Sequence, residues 1–325
     1  MKAIVQDAYG ESEVLRVEEV GRPELGDNDV LVQVRAAGVD AGVWHLMAGR
    51  PYLLRLFGFG LRSPRLRIRG RDVAGIVAEV GRSVTRFSPG DEVFGTSLTG
   101  TYAEFTSTGE DRLEHKPVNL GFAEAAAVPV SGCAALHGLR DAGRLRPGQS
   151  VLIIGAGGGV GTFAVQLAKA WGADVTAVCS GSKAELVRAL GAGRVIDYSR
   201  EDFADGTGRY DLILDIAGNN PLRRLGRALA PGGTLVIAGG EGGGRIFGGV
   251  DRQLRALLLS PFSRRKLRIL MSSEGRQDLT DLKDLIESGK LAPAVDRVYP
   301  LGEAPAAIRR LRAGHVQGKA VIAVG

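Results

Sequence analysis

Cysteine is nearly missing from this sequence. Its 325 residues include two, Cys133 and Cys179, too few for a disulfide framework or a four-thiolate zinc lobe. That scarcity fits a reducing, cytoplasmic compartment. Histidine is almost as sparse, at four residues, and His115 and His137 stand at no spacing that suggests chemistry. No apolar run reaches the roughly 18 residues that a membrane-crossing helix needs. The opening MKAIVQDAYGESEVL lacks the apolar stretch and cleavage site of a secretory signal. No internal repeat or low-complexity linker interrupts the chain. Hydrophobic residues at 44% and charged residues at 24% are ordinary for a globular protein, which excludes disorder and leaves ample material for a core.

Glycine is plentiful at 48 residues, and the formal net charge is +6. Arginines gather at Arg55, Arg62, Arg65, Arg67, Arg69 and Arg71, and again at Arg264, Arg265 and Arg268 beside Lys266. A solvated Arg-rich surface accounts for such runs, because no aromatic interleaving marks a base-stacking face. A nucleic acid or a membrane surface is the alternative partner.

The first part of the chain reads as β-rich. Apolar or alternating stretches at 2–6, 14–20, 29–37, 76–80, 91–94 and 102–107 are separated by Gly81 and by Pro89-Gly90. This spacing predicts a barrel-like domain, with a helix over 122–128 leaving it. From Ser150 onward, strands alternate with helices. Strands are expected at 151–154, 175–179, 194–197, 212–216 and 234–238, with helices at 160–171, 183–190 and 222–229. In the first of these helices Val160, Phe163, Ala164, Leu167, Ala168 and Trp171 share a face. Strands separated by helices predict a parallel sheet wound with right-handed crossovers. Helices at 278–288 and 303–313 and a strand at 320–324 complete the chain.

The strongest local signal is the run Gly155-Ala156-Gly157-Gly158-Gly159-Val160-Gly161 between a strand and a helix. A diphosphate needs free backbone N–H groups at a helix N-terminus, where the dipole also favours negative charge. A side chain at Gly158 would hold the backbone away from the phosphate, and Gly161 lets the helix lie close to the strand. The usual six-residue pattern then begins at Ala156, a mild departure. The order of strand, turn, helix and second strand makes this a Rossmann dinucleotide site, held by Gly157, Gly158, Gly159, Val160 and Gly161. Where an NAD site places a carboxylate for the ribose 2′-hydroxyl, the sequence reads Cys179-Ser180-Gly181-Ser182-Lys183. Hydroxyls and an ammonium there, chiefly Ser180 and Lys183, favour the 2′-phosphate of NADPH; the alternative for Lys183 is an exposed first-turn residue.

These residues, together with several further motifs, resemble the medium-chain dehydrogenase/reductase superfamily in its zinc-independent quinone oxidoreductase-like branch. The marks are the MKAIV start, Gly70-Arg71-Asp72-Val73-Ala74-Gly75 and Pro89-Gly90-Asp91-Glu92-Val93. Tyr102-Ala103-Glu104, Ala125-Ala126-Ala127-Val128-Pro129, Val195-Ile196-Asp197-Tyr198 and the closing Gly318-Lys319 complete the set. The resemblance implies an α/β chain in which a GroES-like β-barrel catalytic domain (1–126) is completed by a C-terminal return (271–325). The doubly wound Rossmann domain (127–270) is inserted between them, with cofactor and substrate in the cleft. It also implies that Tyr198 lies near the adenosine phosphate. Ala217-Gly218-Asn219 and Gly239-Gly240 would line the dinucleotide, and Lys319 would approach the nicotinamide. A homodimer would form through a strand near 268–272.

Zinc-dependent members of the superfamily ligate their metal with Cys, His and Cys. By the same resemblance the corresponding positions here are Asp40, Arg71 and Ser131, and a guanidinium cannot ligate zinc, so no metal is expected. Without a Lewis acid an isolated carbonyl is poorly polarised. A quinone or α,β-unsaturated carbonyl needs less help, because the charge arriving with hydride spreads through a conjugated system that a few hydrogen bonds can hold. The expected partner is therefore a small-molecule conjugated carbonyl or quinone. Candidate catalytic residues are Asp40, His45 and Tyr52. Asp40 could orient ribose or substrate, or cap a structural element. His45 could donate a proton or sit in the core, and Tyr52 could bond a developing oxyanion or pack. A zinc-free alcohol or aldehyde dehydrogenase, and an NADPH-bound module for RNA or membrane, are the competing functions.

Overall fold

The computed structural model describes residues 1–53, 55–206, 208–217, 220–239, 244, 248–249, 252–253, 256 and 265–325. The chain divides into two compact units, Met1–Cys133 with Glu274–Gly325, and Ala134–Ser273. The expected boundary between 126 and 127 lies just before a helix, Pro129–His137, whose proline stands at the first helical position, where its missing N–H is not needed.

The first unit carries strands β1 (Lys2–Val5), β2 (Arg16–Glu19), β3 (Asp29–Val39), β4 (Asp72–Val80), β5 (Glu92–Thr96), β6 (Phe105–Gly109) and β7 (Leu113–His115). After the second unit the chain returns to it with β14 (Val295–Pro300) and β15 (Lys319–Ala323). β1 and β2 form an antiparallel pair, and the rest make a sheet in the order β14-β15-β3-β4-β5-β7 with β6 also on β3. β3 has 11 residues, and its two halves have different neighbours on one side. Asp29 to Gln33 face β6, whereas Ala36 to Val39 face β15. This arrangement ties the last strand of the chain to the first third of the sequence. The alternation in β3 predicted one wet face, yet Val30, Leu31 and Val32 are consecutively buried. Only Asp29 at its start, Gln33 and Arg35 reach toward solvent.

The second unit carries β8 (Ser150–Ile154), β9 (Asp174–Cys179), β10 (Arg194–Asp197), β11 (Tyr210–Asp215), β12 (Leu229–Ile237) and β13 (Lys266–Ile269). All pair in parallel, in the order β10-β9-β8-β11-β12-β13. The order runs backward from β8 to β10 and forward from β11 to β13, so the winding reverses between β8 and β11. Ligands of open α/β sheets bind at that reversal, beyond the carboxyl ends of the strands.

Helix Gly159–Ala170 leaves β8, and its residues from Gly161 to Ala168 are all buried. The single apolar face expected from the sequence is thus too narrow a description: Thr162, Val165 and Gln166 are covered too. The helix packs on β8 and β9 and also on the π-helical turn Gly138–Ala142. A second helix, Ala41–Ala48, went unread in the sequence although its stop and start signals are present. Asp40 caps it through its side chain, and Gly49 ends it in the left-handed conformation at φ 59°. The expected helix over 122–128 is shorter, Phe122–Ala125. Among the described residues no helix is long and apolar enough to cross a membrane.

Candidate dinucleotide site and a buried charge network

The turn after β8 is built from its backbone outward. Gly155 and Ala156 both donate their N–H to the Val178 carbonyl at 3.0 Å, and Gly158 donates to the Gly155 carbonyl at 3.2 Å. Gly155 has φ +89°, a conformation that side chains disfavour. The tight-turn position is therefore Gly155 and not Ala156, which is wholly buried. A Cβ on Gly161 would lie 2.3 Å from the Gly155 carbonyl oxygen and 2.6 Å from backbone carbon of Ala156, so only glycine lets the helix approach. Gly158 is different. A Cβ there would meet nothing closer than 3.6 Å, so the protein's own packing does not require glycine. What a side chain would fill is the space before the first-turn N–H groups of Gly159, Val160 and Gly161, which a helix leaves without intrahelical acceptors. The residues present fit a bound diphosphate.

The stem of Lys183 lies across this turn, its Cδ 2.7 Å and its Cβ 2.8 Å from where a Cβ of Gly157 would be. Ser180 and Ser182 share a hydrogen bond of 3.1 Å beside it. The premise that no carboxylate reaches this edge needs correction. Asp197, at the end of β10, stands in register with Cys179, and its Oδ2 is 2.6 Å from the Cβ position of Gly181. Hydrogen bonds from the Ser199 N–H (3.0 Å) and hydroxyl (2.8 Å) hold its carboxyl below the usual carboxylate range. Strand pairing brings it here from 18 positions beyond Cys179, a distance no local reading crosses. Tyr198 follows it and is largely exposed.

Across the winding reversal, Ile216 and Ala217 donate their N–H groups to the Ile154 carbonyl at 3.0 and 3.3 Å. Ala238 and Gly239 donate to the Asp215 carbonyl at 2.9 and 3.2 Å. Sequence reasoning missed the group that ties these loops together. Arg252 forms a 2.7 Å ion pair with the fully buried Asp215. It also donates to the carbonyls of Asn220 and Gly239, each at 3.0 Å. Gly218, Asn219 and Gly240, also expected at the cofactor, lie outside the described residues, as does Arg264.

In the first unit, Asp40 accepts the Val43 N–H at 3.1 Å as the helix cap, while its other oxygen is buried without a hydrogen-bond partner among the described residues. His45 bonds through Nδ1 to the Arg50 carbonyl at 2.9 Å. Tyr52 is 40% exposed with the Arg55 guanidinium 4.8 Å over its ring. Among the described residues no hydrogen bond links these three side chains. Lys319 is sealed: its ammonium lies 2.8 Å from Asp72 Oδ2 and donates to Ser131 Oγ at 3.0 Å. Asp72 Oδ1 accepts the Val130 N–H at 2.8 Å. Burial raises the Asp72 carboxyl above its ordinary range, with Lys319 opposing and Asp40 adding to the rise. Arg71 pairs with Glu274 at 2.5 Å, and burial still raises the Glu274 carboxyl. Arg71 and Ser131, expected from the resemblance at the metal positions, thus engage Glu274 and Lys319, and a guanidinium and a hydroxyl do not make a zinc donor set. Among the described residues no cluster of three His, Cys, Asp or Glu side chains could hold a metal ion.

Two family models match, "Alcohol dehydrogenase GroES-like domain" over residues 26–138 and "Zinc-binding dehydrogenase" over residues 190–322. The mitochondrial NAD(P)H oxidoreductase RTN4IP1 of Mus musculus is 34% identical, covering all of this chain and 89% of its own length. The chain belongs to the medium-chain dehydrogenase/reductase superfamily. Within it, the chain falls in the quinone oxidoreductase-like branch. The chloroplastic NADPH-dependent alkenal/one oxidoreductase of Arabidopsis thaliana is 32% identical over 99% of this chain and 79% of its own. The quinone oxidoreductase of Coxiella burnetii superposes with a TM-score of 0.86 at 29% identity, covering 100% of this chain and 99% of that one. Membership of this superfamily makes the first unit GroES-like and the second a Rossmann fold, and makes the chain an oxidoreductase with a nicotinamide cofactor.

Proposed function

We propose that this chain is a zinc-independent, NADPH-dependent reductase that passes hydride to a quinone or an α,β-unsaturated carbonyl. The observation that carries the reading is the open backbone cradle at Gly158, placed at the winding reversal of the parallel sheet. NADPH, when bound, supplies the hydride from C4 of its nicotinamide. The first-turn amides of Gly159, Val160 and Gly161 hold the diphosphate. Ser180, Lys183 and Tyr198 take the 2′-phosphate, with Asp197 nearby limiting how strongly NADPH is preferred over NADH. Ala217 and Gly239 line the dinucleotide on loops that Arg252 fixes.

The charged side chains at the superfamily's metal positions support an acceptor that needs no Lewis acid. Of the candidate donors to the acceptor oxygen, Tyr52 has a hydroxyl without a hydrogen-bond partner among the described residues. His45 is committed through one ring nitrogen, and Asp40 is a cap. A cytosolic homodimer joined along β13, the last strand in the sheet order, completes the reading; size-exclusion with light scattering and cell fractionation test those two parts.

The deciding experiment follows NADPH absorbance while the pure protein is offered quinones, enones, simple aldehydes and, with NADP, alcohols. Turnover confined to the conjugated acceptors, and unaffected by chelators, is expected. Turnover of alcohols alone, or stoichiometric zinc in the active protein, would overturn the proposal.

A further inference from the structure

From Ala41 to Arg71 the sequence contains no aspartate and no glutamate, but it contains seven arginines. The same stretch concentrates exposed apolar side chains. Leu56 is 69% exposed, Leu61 65%, Leu66 45%, and Tyr52 and Phe59 40% each. Of the eleven large hydrophobic side chains exposed among the described residues, these five fall within fifteen positions. An apolar group of this kind on a soluble surface marks a contact.

The backbone here is held in place. Tyr9 donates its hydroxyl to the carbonyls of Phe59 and Gly60, each at 2.7 Å. Arg55 donates to the Gly49 carbonyl at 2.9 Å and stacks over the rings of Tyr9 and Tyr52. Arg69 is buried and donates to the Leu66 carbonyl, and desolvation lowers it only to about 10, so it stays cationic at neutral pH. Arg50, Arg67 and Arg71 have carboxylate partners. Arg62 and Arg65 are exposed and have none among the described residues.

We propose that the exposed side chains of Leu56, Phe59, Leu61 and Leu66, with Arg62 and Arg65 among them, dock the protein on an anionic phospholipid bilayer, the apolar groups entering the headgroup–acyl boundary and the two arginines meeting lipid phosphates. Exposed aliphatic side chains interleaved with unneutralised arginines match that surface on both counts. RNA recognition would use stacking rings, whereas the most exposed side chains here are leucines. A second copy of the chain, related by a two-fold axis, would set this acid-free segment against itself and repel. The inference does not depend on which acceptor the enzyme reduces.

The test uses the full chain without NADPH, floated with phosphatidylcholine vesicles and with equimolar phosphatidylcholine–phosphatidylglycerol vesicles. Binding to the anionic vesicles only, weakened by salt, is expected. Arg62→Glu with Arg65→Glu should reduce partitioning by about tenfold or more, and Leu56→Ser with Leu61→Ser by about tenfold. Thermal midpoint and NADPH binding should match the unaltered protein in both variants, since all four side chains are exposed. Failure to bind anionic vesicles would overturn the inference, as would equal binding by the arginine variant. So would a dimer that dissociates in the leucine variant, or binding to homopolymeric RNA with none to vesicles. None of these outcomes touches the reductase reading, which is measured by turnover in solution.

Discussion

Replacing Lys319 with methionine keeps most of the volume and removes the ammonium that faces Asp72. Both residues are essentially sealed, at 2% and 0% exposure, and stand 2.8 Å apart. Removing one partner of a buried pair strands the other, at a cost of about 3–5 kcal/mol. Asp72 would keep one hydrogen bond, from Val130, with the Asp40 carboxylate nearby opposing its charge. For a unit of this size about 2–4 °C accompanies each kcal/mol, so the thermal midpoint of the unit should fall by about 6–20 °C at pH 8. The loss should shrink in acid. Burial already raises the Asp72 carboxyl in the folded protein, and losing Lys319 raises it further. The folded state then holds a proton that the unfolded state releases near its ordinary value of about 3.9. Stability of the variant is therefore greatest near that value and declines as pH rises through the folded titration. Differential scanning calorimetry at pH 5 and pH 8 reads both effects. A midpoint within about 2 °C of the parent at pH 8, or an equal deficit at the two pH values, would refute the argument. Adding Asp72→Asn to Lys319→Met should restore part of the loss, because the amide oxygen still accepts from Val130.

Gly158→Val should fold with an unchanged midpoint and lose the thermal shift that NADPH produces, since its Cβ meets nothing within 3.5 Å of the protein itself; Gly161→Ala should lose stability as well, by about 1–3 kcal/mol. Arg252→Met should cost about 1.5–3 kcal/mol by removing one charged hydrogen-bond partner of the buried Asp215, read as an earlier denaturation midpoint of the second unit, with NADPH affinity weakened as the Asn220 and Gly239 loops lose their tie. Lys183→Ala should weaken NADPH more than NADH, and Asp197→Asn should strengthen NADPH relative to NADH; titration of nucleotide fluorescence measures both, and equal changes for the two nucleotides would exclude these residues from 2′-phosphate selection.

The sequence alone determined what local chemistry can encode. Glycines from 155 to 161 bracketed by a strand and a helix spell a phosphate turn whatever surrounds them, because the backbone geometry they permit is set within a few residues. Short apolar runs separated by helical patterns gave the alternation of the second unit, since parallel strands buried on both faces read as continuous apolar stretches. What lies far apart in the chain was decided only in three dimensions. Asp197 reaches the turn at Gly181 because β10 lies beside β9, Arg252 meets Asp215 across 37 positions, and Lys319 meets Asp72 because β15 returns to β3 next to β4. The first and third are charges placed by strand order, and the second by the return of the chain to the end of β11. Such placement leaves no periodic trace in the sequence, because a side chain's partner across a sheet depends on which strands pair and not on its neighbours in the chain.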